Sequence, residues 1–355
     1  MTAPRRIAVA MSGGLDSSVA AALLAESDDE VFGIMLRLWS GGPNGANRCC
    51  SPADIARARQ VASQLGIPFY VQDVQARFKE IVVDFFIDGY AQGTTPNPCL
   101  ECNRTIRWDF LLRHALALGA THLATGHYAR TERRDGAYQL LRARDQRKDQ
   151  SYVLSVMGQD QLKHAIFPLG DLLKDEVRQI ALDRGLAAAE RSESQDLCFV
   201  GGGDYRRFLD HMQAALPPPG PIVDQSGLVL GQHQGLAHYT IGQRKGIGVA
   251  AAQPLYVLAK DMADNRLVVG PREALGRTTF QVGRVNWIAA AAPPAAFDAD
   301  VQVRYQAANQ PAHILPEGVS SACVELDDPV PGVAPGQAAV FYQGQVCLGG
   351  GVIQA

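Results

Sequence analysis

The run Ser12-Gly13-Gly14-Leu15-Asp16-Ser17-Ser18 sets small hydroxyls, two glycines and a carboxylate directly behind the apolar stretch Ile7-Ala-Val-Ala-Met11. That combination suits phosphate chemistry. Glycines let the backbone come close to an anion, and the N–H groups at a helix start point toward it. Ser12, Ser17 and Ser18 can add donors, and Asp16 can hold a divalent cation such as Mg2+ that bridges phosphates. No Lys-Ser/Thr pair follows the glycines, which excludes a Walker A loop. A bare glycine turn between strand and helix is the alternative, and the serines and Asp16 on either side favour a pyrophosphate cradle over it.

Thr95-Pro-Asn-Pro-Cys99-Leu-Glu-Cys102-Asn103 is the second constellation. Its C-x-x-C spacing admits a redox pair, half of a metal site, or a nucleophilic thiol at a helix start, where Arg104 and Arg107 would favour the thiolate. Structural zinc would need a second pair of ligands, and the adjacent Cys49-Cys50 are poorly spaced for chelation. Inert buried thiols are a further reading. Cys198 lies in the polar segment Ser192-Glu-Ser-Gln-Asp-Leu-Cys198-Phe199, behind a helix expected to end near Gly185. Its polar neighbours separate it only narrowly from a packed thiol. Cys323 and Cys347 alternate with apolar neighbours and read as core, while Cys49 and Cys50 stay unassigned.

Arg130, Arg133, Arg134, Arg142, Arg144, Arg147 and Lys148 outnumber Glu132, Asp135 and Asp145 in one short span. Such a patch suits a nucleic-acid backbone; the alternative is the solvated face of a hairpin. Lys148-Asp-Gln-Ser-Tyr152 closes it, and Arg244-Lys245 and Arg304-Tyr305, the latter expected on a strand, could extend the track. The histidines have no metal-ligand spacing. His127, beside Gly126, falls near the nucleotide and reads as structural.

These residues need elements to hold them. The chain has 355 residues with 47% hydrophobic content, enough for two or three domains. A net charge of −3 gives no global signal for nucleic acid, and seven cysteines cannot form a complete disulfide framework. No apolar run reaches the roughly 18 residues of a membrane span. The N-terminus enters a strand without a signal-peptide core, so a cytosolic protein without a membrane partner is expected. Helix-like segments (19–25, 53–65, 78–90, 105–118) alternate with strand-like ones (31–38, 68–74, 121–125), and Ser51-Pro52 offers a cap for the second helix. The fold class is therefore α/β, with an N-terminal doubly wound parallel sheet that binds ligands beyond the carboxyl ends of its strands. The proline-rich Leu216–Pro221 should break any regular element. Short runs at 281–288, 300–305, 322–326, 338–342 and 346–353 suggest a small β-barrel or sandwich. The expected division is 1–205, 206–273 and 274–355: a catalytic domain, a small central domain and a C-terminal β-barrel.

Taken together, Ala10-Met-Ser-Gly-Gly-Leu-Asp-Ser17, Thr95-Pro-Asn-Pro98 with Cys102-Asn103, Ala124-Thr-Gly-His-Tyr128 and Lys148–Tyr152 resemble the bacterial tRNA-specific 2-thiouridylase family, PP-loop ATP pyrophosphatases of the adenine nucleotide alpha hydrolase type. Cys198-Phe199, Gly231-Gln-His-Gln-Gly235, Gly242-Gln-Arg-Lys-Gly246 and Val346-Cys-Leu-Gly-Gly-Gly351 carry the resemblance almost end to end. It implies adenylation of the C2 oxygen of the wobble uridine, then its replacement by sulfur. By the same resemblance Ala10, Met11, Ser12, Gly13, Gly14, Leu15, Asp16, Ser17, Met35 and Gly126 would bind ATP, and Asn97, Pro98 and Cys99 would lie against the target base. Cys102 would be the nucleophile and Cys198 the persulfide carrier, the two able to join in a disulfide. Lys148, Asp149, Gln150, Arg304 and Tyr305 would touch a tRNA of the Lys, Glu or Gln type, and a cysteine desulfurase or relay protein would supply sulfur. Cys99 departs from members with an acidic residue there. Cys99, Cys102 and Cys198 could alternatively hold a [4Fe–4S] cluster with one open iron. An amide-forming ligase and an ATP-sensing binding module are the competing functions.

Overall fold

Ile7 and Val9 point to one side of strand β1 (Arg6–Ala10) and Ala8 to the other, each fully buried. A strand buried on both faces belongs at the centre of a parallel sheet. In the computed structural model, which describes residues 4–39, 41, 51–189, 197–200, 204–212 and 216–354, β1 lies between β2 (Glu30–Arg37) and β4 (His122–Thr125). β3 (Phe69–Asp73) pairs beyond β2, and β7 (Ala165–Ile166) beyond β4. All these pairings are parallel. Helix α1 (Leu15–Ala25), helix α2 (Pro52–Gln64) and helix Lys174–Asp183 cover one face. The helical run 98–117, with Trp108, Leu111 and Leu112, covers the other. The chain steps outward from β1 in both directions, so the switch point falls between β1 and β4. The segments following these two strands carry Ser12–Ser17 and Gly126.

The sheet thus matches the expected doubly wound class, and α2 opens as its sequence dictates. Ser51 caps it by accepting from the Asp54 N–H at 3.2 Å, Asp54 answers on the Ser51 N–H, and Pro52 takes the first turn. The helix expected at 105–118 starts earlier. Asn97 caps Pro98–Glu101, and the run continues through the wider π-type turns of Cys102–Leu111. Both cysteines of the C-x-x-C spacing therefore ride on the helix.

β8 (Gly220–Val223), β9 (Val229–His233), β10 (Tyr256–Asp261) and β11 (Arg266–Gly270) form the central sheet, in the order β10-β11-β8-β9. Pro221 does not break structure here, contrary to expectation. It sits inside β8, whose pairing with β11 begins only at Ile222, so its missing N–H disrupts no bond on that edge.

The C-terminal strands are β12 (Gly276–Trp287), β13 (Phe297–Gln302), β14 (Gln310–Pro316), β15 (Ala322–Pro331), β16 (Ala338–Gln343) and β17 (Val346–Ile353). They run β12-β15-β14-β13-β16-β17, and a β12–β17 pairing closes the barrel. Strand β13 ends at Gln302, so Arg304 and Tyr305 stand in the turn toward β14 and not on a strand.

The basic segment supplies an unexpected join. Arg130–Arg134 (β5) and Ala137–Leu141 (β6) form a hairpin, and β6 pairs with β17 at Leu140↔Cys347 and Leu141↔Val346. One hairpin of the N-terminal unit thereby extends the sheet of the barrel. Cys49, Cys50 and 192–196 lie outside the described residues. Among the described residues no helix is long and apolar enough to cross a membrane.

Candidate active site

The loop after β1 holds its shape through its own serines. The Ser12 N–H donates to Ser17 Oγ at 3.1 Å, while the Ser17 and Ser18 hydroxyls donate to the Gly14 carbonyl at 3.1 and 2.8 Å. Gly14 caps α1 with extended backbone and offers no side chain of its own to the first-turn N–H groups. Gly13 has φ +69°, and a Cβ on it would run into the main chain of Asp54. At Gly126 a Cβ would lie 2.8 Å from the Ser17 nitrogen and 2.9 Å from the Asp16 carbonyl carbon. Both glycines are required by close approach, one between loop and α2, the other between β4 and the loop.

A cavity of about 220 Å³ opens on this loop. Ala10, Met11, Ser12, Asp16 and Ser17 form one wall, and Cys102, Ile106, Arg107 and Leu111 form another. Ile34, Leu36, Leu38, Gly126, His127 and Gln150 complete it. Arg107 brings positive charge to the wall that carries Cys102. Burial, aided by the nearby Arg107 charge, pushes His127 down to about 3, so the imidazole is neutral. Its Nδ1 is 2.8 Å from the Thr125 hydroxyl. The ring is a fixed polar wall, as its structural reading requires.

Asp16 turns out to be heavily engaged. Lys174 Nζ donates to its two oxygens at 2.7 and 2.9 Å, and the Tyr128 hydroxyl donates to Oδ1 at 2.8 Å. Among the described residues no group of three or more His, Cys, Asp or Glu could hold a metal ion. The donor set therefore does not fit a protein-held Mg2+ at Asp16, because an ammonium already neutralises the carboxylate. Cys99 is exposed while Cys102, one helical turn on, is buried against the cavity, and Cys198 is half-buried against Phe199.

The remaining residues singled out in the sequence divide clearly. Cys102 and Cys198 border the same apolar cluster, built from Phe78, Phe86, Phe199 and Phe208. The Met35 side chain is in the core, so only its main chain could reach a nucleotide. Asn97 accepts from the Leu100 N–H at 3.3 Å and faces a small pocket against the barrel glycines Gly350 and Gly351, while Pro98 is buried. Asp149 points inward: it accepts from the Ala143 and Ser151 N–H groups, the Ser151 hydroxyl at 2.7 Å and Arg142 at 3.2 Å. Its carboxylate shapes the Lys148–Ser151 turn. Gln150 lines the cavity and accepts from the Tyr128 N–H at 3.0 Å. Lys148 is half-buried, and Arg304 and Tyr305 are exposed.

Sequence reasoning missed Lys174 and Tyr128. Lys174 opens a helix amid Asp175 and Glu176 and looks like any surface lysine. Ile34, Leu36 and Leu38 carried a signal, since period-two spacing at the end of β2 puts them on one face.

Three family models cover the chain: a tRNA methyl transferase HUP domain at residues 5–202, a tRNA methyl transferase PRC-barrel domain at 206–271 and an aminomethyltransferase beta-barrel domain at 277–353. The chain is 48% identical to the tRNA-specific 2-thiouridylase MnmA of Roseiflexus castenholzii, covering 98% of this chain and 99% of that one. It is 49% identical to the protein of that name from Chloroflexus aurantiacus, over 98% of each. The Magnetococcus marinus protein of the same name is 48% identical, over 99% of this chain and 100% of its own.

Proposed function

The chain belongs to the tRNA-specific 2-thiouridylase family, and from that membership we infer that it activates the C2 oxygen of a tRNA uridine with ATP and replaces that oxygen with sulfur. One observation carries the reading: the Ser12–Ser17 loop and the Cys102 thiol line a single cavity. A phosphate-binding loop and a nucleophile in one cleft are what adenylation followed by thiol chemistry needs.

The chemistry explains the parts. Oxide is a poor leaving group from a urea-like carbon, so transfer of AMP to the C2 oxygen makes departure feasible. Pyrophosphate leaves on the loop, where the N–H groups at the start of α1 meet its charge. Ala10–Ser17 and Gly126 bind ATP in this reading, with the main chain of Met35, and magnesium arrives on the phosphates. The target is the wobble uridine, whose base in an anticodon loop is splayed out at modest unstacking cost. Asn97, Pro98 and Cys99 lie along the path of that base. Arg304, Tyr305 and Lys148 meet tRNA of the Lys, Glu or Gln type, while Asp149 acts from inside by holding the turn that presents Lys148 and Gln150. The enzyme works on tRNA in the cytosol.

Cys198 carries the sulfur as a persulfide received from a desulfurase or relay protein. In one route its terminal sulfur attacks C2, AMP departs, and Cys102 resolves the remaining bond. In the other, Cys102 attacks the persulfide and releases hydrosulfide, which attacks C2. Both routes end in a Cys102–Cys198 disulfide that an external thiol must reduce. Proximity to one apolar cluster supports the pairing.

The test is incubation with unmodified tRNA, ATP, magnesium and a persulfide donor, measuring thiouridine and pyrophosphate together. Cys102→Ser should lower thiolation by at least about 100-fold while ATP affinity stays within about twofold, because the nucleophile is lost but the cleft is not. Pyrophosphate release with a new amide and no thiouridine would sink the reading.

A further inference from the structure

A lone carboxylate at the mouth of a phosphate loop needs a cation, since it would otherwise repel the triphosphate. Here Asp16 receives Lys174 Nζ at 2.7 and 2.9 Å, and that lysine is only 6% exposed. We propose that Lys174 is a positioning residue for ATP that acts through Asp16, a tethered ammonium that does at this carboxylate what a protein-held metal would otherwise do. The proposal rests on the ATP-site reading above.

Three elements converge on the pair. Asp16 stands in the first turn of α1, where the helix start favours an anion. Tyr128, two residues past Gly126, fixes Oδ1 from the β4 side at 2.8 Å. Lys174 opens the helix Lys174–Asp183, whose Val177 and Ala181 pack in the same core as Val19 and Ala20 of α1. Its own N–H donates to Asp145 at 3.1 Å, and Asp145 also accepts from the Arg147 N–H at 3.1 Å. The lysine is thus gripped at root and tip, so little freedom is lost in holding the ammonium in place. Asp16 lines the cavity while Lys174 stays behind it, so the lysine reaches the ligand through the carboxylate. Neutralised in this way, Asp16 presents no net charge to incoming phosphates, and magnesium travels on the nucleotide.

Equilibrium dialysis of MgATP and of AMP against wild type, Lys174→Met, Asp16→Asn and the double variant tests this. Lys174→Met should weaken ATP binding about tenfold, through an unbalanced carboxylate near the phosphates, and AMP binding by less than about twofold. In the Asp16→Asn background the same change should alter ATP binding by less than about twofold, since no carboxylate is left to balance. Unchanged or tighter MgATP binding by Lys174→Met overturns the proposal, because a released Asp16 would then be acting as a metal ligand. Equal losses for ATP and AMP overturn it in favour of a purely structural lysine. A further loss in the Asp16→Asn background overturns it by showing that the lysine acts alone. If Lys174→Met does not fold, Asp16→Asn against the double variant still decides, because the double variant leaves no unpaired buried charge. Failure of the wild type to bind either nucleotide would instead refute the ATP site.

Discussion

His127 illustrates how much a single side chain depends on its surroundings. Buried, and repelled by Arg107, it is depressed from an ordinary 6.5 to about 3. An imidazole so reluctant to take a proton is a poor general base at neutral pH, which leaves it a positioning role in the cavity wall. Linkage gives the sign of its effect on stability. Below about 6.5 the unfolded chain binds a proton that the folded one refuses, so the contribution is intact above that pH and drains away as pH falls toward 3. The urea midpoint should drop between pH 8 and pH 5, and His127→Asn should make that drop smaller. An identical drop in both proteins would show that other groups govern it. The residue scale is also where sequence was least informative about partners. Asp16 was legible as an important carboxylate, but its ammonium comes from 158 residues away and carries no local mark. The C-x-x-C spacing left the role of Cys102 open between several chemistries, and nothing in Lys-Asp-Gln-Ser-Tyr reveals that the Asp149 carboxylate turns inward.

At the scale of elements, local rules read well wherever one segment satisfies itself. The Ser51 cap and Pro52 marked α2 before any contact was known, and short strand-like runs marked β2 and β17. Rules failed where a neighbour settled the matter. β8 carries a proline and survives because its bond-poor edge meets β11 only from Ile222 onward. β14 is bounded by prolines at 311 and 316 and escaped notice, yet β13 and β15 on either side hold it in place. Glycine at 126 is an element-scale requirement too, because it lets β4 approach the start of α1. Gly126→Ala should weaken ATP binding by at least about tenfold, since a methyl against two main-chain atoms forces the loop aside at a cost of about 1–3 kcal/mol. Dialysis measures the affinity and a urea melt checks the fold; normal affinity in a folded variant would mean that the loop has slack.

Across the whole molecule, the N-terminal unit and the barrel share one core. Leu140, Tyr152 and Leu154 pack in the same cluster as Ala338, Val340, Tyr342 and Cys347. The Arg142 guanidinium sits 3.5 Å from the centre of the Tyr342 ring and donates to Asn309 at 2.7 Å, in the turn that carries Arg304 and Tyr305. The Tyr342 hydroxyl is 3.1 Å from that of Ser151. Barrel and catalytic sheet should therefore unfold together. Tyr342→Ala should cost about 3–5 kcal/mol, as large aromatic truncations in a core do, and shift one cooperative transition. Two separate transitions with only one moved, in calorimetry, would show independent units. Sequence pattern offered no view of this shared core, because β6 read equally well as a solvated hairpin face and its barrel partner β17 lies far along the chain.

That late partner has a bearing on how the chain is made. Leu140 pairs with Cys347, roughly 200 residues further on, which a ribosome adding about 5–20 residues per second reaches only some 10–40 seconds later. During that interval Leu140, Tyr152 and Leu154 lack the packing that Ala338, Val340, Tyr342 and Cys347 supply. A message cut short before β17 would yield a chain with its nucleotide loop complete and its core still open, a natural target for quality-control proteases.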